Sequence, residues 1–259
     1  AISFTGGTST GAHIAKIAAP MFKKLSLELG GKNPNIIFAD CNYEDMLETT
    51  VKSSFANQGQ ICLCGSRIFV EDSIYNKFKT DFVKKVKQLK VGHPSNDSTD
   101  IGALVSKPHL EKVLHYINVA KDEGGNILCG GNKVTIECYE NGYYLEPTVI
   151  EVETDDCRVN QEEIFGPVVT IMPFKTQEGV LEMANKVKYG LSATIWTNNL
   201  KRTMRMSNQL QSGIVWVNTW MLRDLRTPFG GVKASGVGRE GGFEALRFFT
   251  EAKNVCIKY

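Results

Sequence analysis

The sequence has almost no excess of either charge and no long apolar run. Its 30 lysines and arginines against 28 aspartates and glutamates leave a formal net charge of +2, so the charge balance gives no reason to expect nucleic acid or a membrane surface as a partner. No apolar stretch approaches the length of a membrane-spanning helix. We therefore expect a globular protein without nucleic-acid or membrane partners.

The sequence also lacks the cysteine patterns that make disulfide frameworks and zinc sites. It has seven cysteines, an odd number at irregular spacing, without a CxxC pair, and its four histidines follow no zinc-finger spacing. Neither a disulfide framework nor a metal site is indicated. A reducing compartment fits this cysteine usage, and we expect a cytoplasmic protein without a metal.

Strand-like and helix-like segments alternate along the chain, which predicts an α/β fold with a largely parallel sheet. Ligands in such folds collect at the carboxyl ends of the strands. A polar hairpin is expected at 132–145, and a strand-like tail at 253–259 suggests oligomerisation because an isolated strand needs a partner edge. The predicted helices are 12–19, 43–56, 73–89, 107–123, 177–187, 200–210 and 240–249, and the predicted strands are 1–5, 25–29, 35–38, 67–71, 126–131, 147–152, 168–174, 193–197 and 213–217.

The segment 55–67 is the part of the chain in which we expect chemistry. A polar loop with two glycines presents Cys62 and Cys64 just before the apolar strand 67–71. A thiol in a loop rich in backbone N–H groups suits a nucleophile that attacks a carbonyl carbon. Two inert, buried cysteines are an equally good interpretation of this segment alone. Because this loop precedes a strand, Cys62 is also hard to place at the carboxyl ends of the strands, where ligands are expected.

Two further segments have a chemical and a plain interpretation. Gly6 and Gly7 lie between a strand and a helix, where free N–H groups can hold a phosphate, although a tight turn with a helix cap explains them as well. Glu28 lies near the end of a strand beside Gly30 and Gly31. A partly desolvated carboxylate there could act as a general base, and an ordinary exposed strand residue is the alternative.

Five motifs occur together, in order, and span the whole chain. Each could arise by chance, but the set closely resembles the aldehyde dehydrogenase superfamily. The motifs are Phe4-Thr5-Gly6-Gly7 with Gly11, Leu27-Glu28-Leu29-Gly30-Gly31-Lys32, Asn57-Gln58-Gly59-Gln60-Ile61-Cys62, Glu162-Glu163-Ile164-Phe165-Gly166-Pro167, and Pro228-Phe229-Gly230-Gly231 with Ser235-Gly236.

The resemblance implies that the chain corresponds to the C-terminal half of such an enzyme. Residues 1–30 would be the remnant of a Rossmann-like cofactor domain, and residues 31–236 a catalytic domain with a mostly parallel sheet. Residues 237–250 would form a helix that returns to the cofactor domain, and residues 251–259 an oligomerisation strand. The family pattern implies a homodimer or homotetramer. The first strands of the cofactor domain and the family's oxyanion asparagine would lie outside this sequence.

The resemblance also implies roles for individual residues. Cys62 would be the nucleophile, with Cys64 in a packing role, and Glu28 would be the general base that activates water. The backbone N–H of Cys62 would stabilise the oxyanion. The cofactor would be NAD, contacted by five residues: Gly6, Gly7, Leu29, Glu163 and Phe165. Gly7 departs from the commoner family pattern, in which a serine often stands at this position.

The segment 220–231 carries two arginines that are unusual for the superfamily. It resembles the corresponding loop of the muconic semialdehyde dehydrogenases, whose substrates carry a carboxylate far from the aldehyde. A guanidinium can bind a carboxylate in a bidentate manner. We expect Arg223, then Arg226, to bind it beside Phe229. The alternative is that both arginines form surface ion pairs with Asp224 or Glu240.

The leading hypothesis is therefore NAD-dependent oxidation of 2-aminomuconate or 2-hydroxymuconate 6-semialdehyde, in the degradation of tryptophan or catechol ring-cleavage products. Three alternatives remain open: another aldehyde substrate, a truncated and inactive structural or oligomerisation paralogue, and a thiol hydrolase. The hydrolase would need a histidine beside the cysteine, and none of the four lies near a recognisable motif.

Overall fold

Short runs of β-branched and aromatic residues form the strands of this protein, and amphipathic segments between them form the helices. The computed structural model describes residues 1–259. The helices are α1 Thr8–Ala18, α2 Tyr43–Phe55, α3 Asp72–Val86, α4 Lys107–Asp122, α5 Arg158–Gln161, α6 Gln177–Asn185, α7 Leu200–Gln209 and α8 Gly242–Phe249. The strands are β1 Ile2–Thr5, β2 Leu25–Glu28, β3 Pro34–Ile37, β4 Arg67–Glu71, β5 Asn126–Cys129, β6 Lys133–Val134, β7 Tyr144–Leu145, β8 Thr148–Glu151, β9 Val168–Phe174, β10 Tyr189–Gly190, β11 Ser192–Trp196, β12 Ile214–Val217, β13 Val232–Lys233 and β14 Gly236–Val237.

Seven strands form the main sheet in the order β12-β11-β3-β4-β9-β8-β5. Every neighbouring pair is parallel except β5 and β8. Helices cover both faces, so successive residues of a central strand enter opposite cores: Phe69 packs into one apolar cluster, and Ile68 and Val70 into the other. A parallel sheet is stable only when both faces are buried. The prediction of an α/β fold with a mostly parallel sheet is confirmed.

A second, three-stranded sheet contains the first strand of the chain. β1 and β2 are parallel, and β14 is antiparallel to β2, so that Gly236 pairs with Glu28. The strand–helix–strand unit β1-α1-β2 occupies the segment predicted to be a remnant of a cofactor domain. Lys24, just before β2, donates a hydrogen bond to the carbonyl of Thr250 at 2.7 Å, which ties the end of α8 to this unit.

Two helix boundaries differ clearly from the predictions. α1 begins at Thr8 instead of at 12, so that Gly11 lies inside the helix. Glycine is required at this position because a Cβ would come within 2.5 Å of the Leu29 side chain. Glycine is used here for close packing and not for a turn. α3 ends at Val86, three residues before the predicted end.

The tail 250–259 forms no strand within this chain, and the side chains of Val255, Ile257 and Tyr259 are exposed. A strand needs a hydrogen-bonded partner, so the oligomerisation strand stays a prediction. None of the eight helices combines the length and apolar character needed to cross a membrane.

Candidate active site

A cleft of about 460 Å³ opens where the two sheets meet. It lies beyond the carboxyl ends of β1 and β2, as expected for an α/β fold. On the main sheet, however, it lies at the amino ends of β3, β4 and β9, because the loops at 31–33, 62–66 and 165–167 all precede their strands. The carboxyl-edge expectation is therefore wrong for the main sheet. The cleft is lined by Thr5, Gly6, Gly7, Glu28, Leu29, Gly30, Gln60, Ile61, Cys62, His109, Lys112, Glu163 and Phe165.

The backbone before the cysteines is strained. Asn57, Gln58 and Gly59 follow α2 with φ angles of 49°, 58° and 67°. The left-handed region is costly for residues other than glycine, and such strain is found where a functional group is aimed. At Gly59 the constraint is also steric, since a Cβ would lie 2.1 Å from the carbonyl oxygen of Gly166.

The two cysteines lie in a tight turn and have different environments. The N–H of Cys64 donates to the carbonyl of Ile61 at 3.0 Å, which closes a turn with Cys62 at its second position. Cys64 is buried, with 5% of its surface exposed, whereas Cys62 is partly exposed and lines the cleft. The packing role expected for Cys64 agrees with this burial.

The backbone N–H of Cys62 donates to no other residue of the chain. In a trans peptide the N–H is directed opposite to the carbonyl, and the carbonyl of Ile61 is turned inward to close the turn. The Cys62 N–H is therefore an available donor close to its own thiol. This is the arrangement required to stabilise an oxyanion formed when the thiol adds to a carbonyl carbon.

Burial raises the pKa of the Cys62 thiol to about 11, with a further rise from the carboxylates of Glu163 and Glu28. The Cys62 N–H and the guanidinium of Arg223 act in the opposite direction. The thiol is thus mostly protonated at neutral pH. Because the thiolate is the reactive species, this cysteine needs a base to accept its proton.

Glu28 has the properties of such a base. Only 5% of its surface is exposed, so the plain interpretation of an exposed strand residue is wrong. Burial, followed by repulsion from Glu240, raises the pKa of Glu28 to about 7, against the opposing effects of Arg239 and Arg223. Its buried Oε1 has no hydrogen-bond partner in the chain. A carboxyl group with a pKa near neutrality can both accept and release a proton at physiological pH.

Glu163 is held at the opposite wall of the cleft by the glycine pair that follows Glu28. Its Oε1 accepts a hydrogen bond from the N–H of Gly31 at 3.0 Å. A Cβ on Gly30 would lie 2.0 Å from Oε2 of the same carboxylate, so only glycine allows this approach. Burial raises the pKa of Glu163, and the Gly31 N–H and Lys112 oppose the rise.

Gly6 and Gly7 lie between β1 and α1, where the first amides of the helix point out of its end. Gly7 is the N-cap residue and no side chain caps the helix. A Cβ on Gly7 would meet no atom within 4 Å, whereas one on Gly6 would lie 2.4 Å from the ring of Phe4. The glycine that replaces the family's serine therefore leaves open space at a helix N-terminus, which suits an anionic diphosphate.

The sequence interpretation missed two residues of the cleft, His109 and Lys112, which lie three positions apart on one face of α4. The only signal in the sequence was this i, i+3 spacing, and nothing local linked α4 to the other motifs. His109 Nε2 lies 2.6 Å from the carbonyl oxygen of Phe165, which has a φ of 60°. Since a carbonyl only accepts, Nε2 is the donor. His109 therefore lines the same cleft as Cys62, with its Nε2 committed to the Phe165 carbonyl and not to the thiol.

The two arginines of the 220–231 loop differ. Arg226 is exposed, and its Nε donates to Oδ1 of Asp224 at 2.9 Å, which is the surface ion pair considered as an alternative. Arg223 makes no ion pair. Its guanidinium carbon lies 4.2 Å from the ring centroid of Phe229, and it is near enough to Cys62 and Glu28 to influence the pKa of each. Arg223 is also exposed, and with Phe229 it lines a neighbouring cavity of about 150 Å³ instead of the cleft itself. Of the two arginines it is the one without an ion pair, and its role at the substrate stays a prediction.

Comparisons with known proteins identify the family of the chain. The sequence profile of the aldehyde dehydrogenase family matches residues 1–255. The chain is 52% identical to 2-aminomuconic semialdehyde dehydrogenase of Bos taurus, over 100% of this chain and 54% of the relative. It is 44% identical to 2-hydroxymuconic semialdehyde dehydrogenase of Pseudomonas putida, over 100% of this chain and 53% of the relative.

Among solved structures, betaine aldehyde dehydrogenase from Staphylococcus aureus in complex with NAD⁺ superposes with a TM-score of 0.91 at 40% identity. The match covers 94% of this chain and 48% of that one. The chain therefore belongs to the aldehyde dehydrogenase family of oxidoreductases, as its five motifs predicted, and it spans about half the length of the relatives it matches.

Proposed function

We propose that this chain carries the nucleophile, the general base and part of the cofactor site of an NAD-dependent aldehyde dehydrogenase. Its substrate would be 2-aminomuconate or 2-hydroxymuconate 6-semialdehyde, which is oxidised to the carboxylic acid. The observation that carries the proposal is that Cys62, Glu28 and Glu163, distant in sequence, line one cleft. A soft nucleophile and a titrating carboxyl group in one cleft match the needs of a two-step oxidation.

In the first step Glu28 accepts the proton of Cys62, directly or through a water molecule, because the thiol alone is too weak an acid. The thiolate adds to the aldehyde carbon, and the Cys62 N–H donates to the resulting oxyanion. Bound NAD supplies the acceptor for the hydride that leaves this carbon. Glu28 would then release the thiol proton to solvent and remove a proton from the water that attacks the thioester, so that the bond between Cys62 sulfur and the acyl carbon breaks and the carboxylic acid leaves.

The residues present fit the cofactor. The open space over Gly7 at the N-terminus of α1 suits the diphosphate, and Glu163 would accept hydrogen bonds from ribose hydroxyls at the other end of the cleft. Lys112 adds a cation beside Glu163, while Leu29 and Phe165 provide apolar surface. The S. aureus relative solved with NAD⁺ supports this assignment.

Arg223 would bind the distal carboxylate of the substrate, with its guanidinium carbon 4.2 Å from the ring centroid of Phe229. A hydrogen bond to a charged group contributes about 1.5–3 kcal/mol. Arg223→Ala should therefore raise KM about 10- to 100-fold for a muconic semialdehyde and leave KM for a neutral aldehyde of similar length nearly unchanged. Arg226→Ala, which breaks the pair with Asp224, is the matched control. Equal losses on both substrates would contradict the assignment.

The test of the whole proposal is NADH formation from NAD and 2-hydroxymuconate semialdehyde, with Cys62→Ala as the control. Because the relatives are about twice as long, the assay is run with the chain alone and with a chain extended to the length of its relatives. Turnover that depends on Cys62 supports the proposal. Absence of turnover in the extended chain favours the structural-paralogue alternative instead. Assembly into a homodimer or homotetramer, and a cytoplasmic location, remain predictions.

A further inference from the structure

Three successive carbonyl groups beginning at the nucleophile are held by side chains from outside the cysteine turn. Nδ2 of Asn33 donates to the carbonyl of Cys62 at 2.7 Å and to that of Cys64 at 2.9 Å. Nε1 of Trp220 donates to the carbonyl of Leu63 between them at 3.0 Å. Each peptide plane that follows the thiol therefore has an external donor.

Asn33 is itself rigidly placed. It immediately precedes β3, has 4% of its surface exposed, and its Oδ1 accepts a hydrogen bond from the N–H of Ser192 at 3.1 Å. Both of its donor hydrogens and its acceptor are thus used, and Asn33 joins the turn to the amino end of β11. A fully satisfied buried amide specifies one orientation, because any rotation leaves polar groups without partners.

The turn needs external support because the backbone that leads into it is strained. The left-handed residues Asn57 and Gln58 store energy that would be released if the turn could move. Rotation of the peptide after Cys62 would also turn the Cys62 Cα and redirect both the thiol and the N–H that faces the cleft. Donors to the three carbonyls prevent this rotation.

Trp220 also connects the turn with the proposed substrate loop. It begins the segment that carries Arg223 and packs with Leu63, Met221 and Phe229 in one small apolar cluster. A displacement of this loop would therefore be transmitted to the nucleophile through the indole N–H and through this packing.

We propose that Asn33 and Trp220 are positioning residues that hold the turn at Cys62 in the orientation that reacts. The inference rests on the proposed function in one respect, that Cys62 is the nucleophile. In the active enzyme, loss of either donor lowers kcat with little change in KM for NAD, because the cofactor walls at Gly7 and Glu163 are untouched.

The test uses Trp220→Phe, which keeps an aromatic ring and removes only the N–H donor, and Asn33→Ser. The matched control is Trp196→Phe, because the indole N–H of Trp196 donates to Oδ1 of Asn35 at 2.9 Å within the sheet and not to the turn. The readout is the pH dependence of Cys62 alkylation by iodoacetamide, measured by peptide mass spectrometry. This reaction requires no turnover, so it can be interpreted even where the proposed oxidation fails.

In both positioning variants the freed carbonyls turn toward water, and the thiol loses part of the burial that raises its pKa to about 11. The alkylation profile should shift to lower pH by about one unit, which is about a tenfold faster reaction at pH 8. The charged groups that face Cys62 are Glu163, Glu28 and Arg223, and none is altered. Trp196→Phe should keep the wild-type profile.

A wild-type alkylation profile in Trp220→Phe and Asn33→Ser, with Tm lowered as in Trp196→Phe, would overturn the inference, since the hydrogen bonds would then only stabilise the fold. Shifted profiles in the two positioning variants but not in the control would support it. Where turnover is found, a lower kcat with little change in KM for NAD in the same two variants provides an independent check that these residues position the nucleophile.

Discussion

Replacing Glu28 by glutamine should change how the stability of the chain depends on pH. Burial raises the pKa of Glu28 from 4.5 to about 7, so the folded chain binds this proton more tightly than the unfolded chain does. As pH rises from about 4.5 to about 7, the unfolded state releases the proton first, and the wild type loses stability across this window. Glutamine does not titrate and avoids this loss.

The size of the effect follows from the same two values. At about 1.4 kcal/mol for each tenfold change in proton affinity, the rise from 4.5 to about 7 corresponds to at most about 3.5 kcal/mol. That is a large part of the roughly 5–15 kcal/mol that stabilises an ordinary domain. For a chain of this size, about 3.5 kcal/mol corresponds to roughly 7–14 °C in Tm.

The assay is thermal unfolding of the wild type and Glu28→Gln at a series of pH values from 5 to 8. The difference in Tm between the two chains should increase with pH in favour of the variant and level off above about pH 7. Glu182→Gln, which removes an exposed carboxylate on α6, should show no such trend. If Tm depended on pH in the same way in Glu28→Gln and in the wild type, the conclusion that ionised Glu28 destabilises the folded chain would be refuted.

Three further outcomes are expected. In the active enzyme, release of the acid should slow about tenfold for each pH unit below about 7, as protonation removes the Glu28 base; a flat pH profile would contradict this role. Gly30→Ala should weaken NAD binding strongly because its Cβ displaces the Glu163 carboxylate; calorimetric titration against the wild type measures the change. Phe78→Ala should lower the free energy of unfolding by about 3–5 kcal/mol in urea titrations, since Phe78 is fully buried.

Much of the site was predictable because the chemistry is concentrated in short motifs. The segment 55–67 was equally compatible with a reactive cysteine and with two inert ones. The family pattern selected Cys62 over Cys64, a choice that agrees with their different burial. The two arginines could not be separated in this way. Asp224 lies within reach of either along the chain, and only the folded loop shows that Arg226 takes it while Arg223 stacks on Phe229.

Other features depended on contacts between distant segments. Three features arise where α4, the main sheet and the three-stranded sheet meet. They are the edge of the main sheet that faces the cleft, the presence of His109 in the cleft, and the unpartnered Oε1 of Glu28. Local sequence patterns do not predict these contacts, because the hydrophobic periodicity of a segment depends on that segment's own residues and not on which other segments it packs against.

Local patterns therefore specified the elements, the alternation that requires a parallel sheet with two covered faces, and the residue types able to carry out the reaction. The fold added the environment of those residues. The ordinary pKa of a glutamate is 4.5, and burial at the junction of the two sheets, followed by repulsion from Glu240, raises the pKa of Glu28 to about 7. Desolvation and charge proximity are properties of three-dimensional packing, and they convert a common glutamate into a base suited to neutral pH.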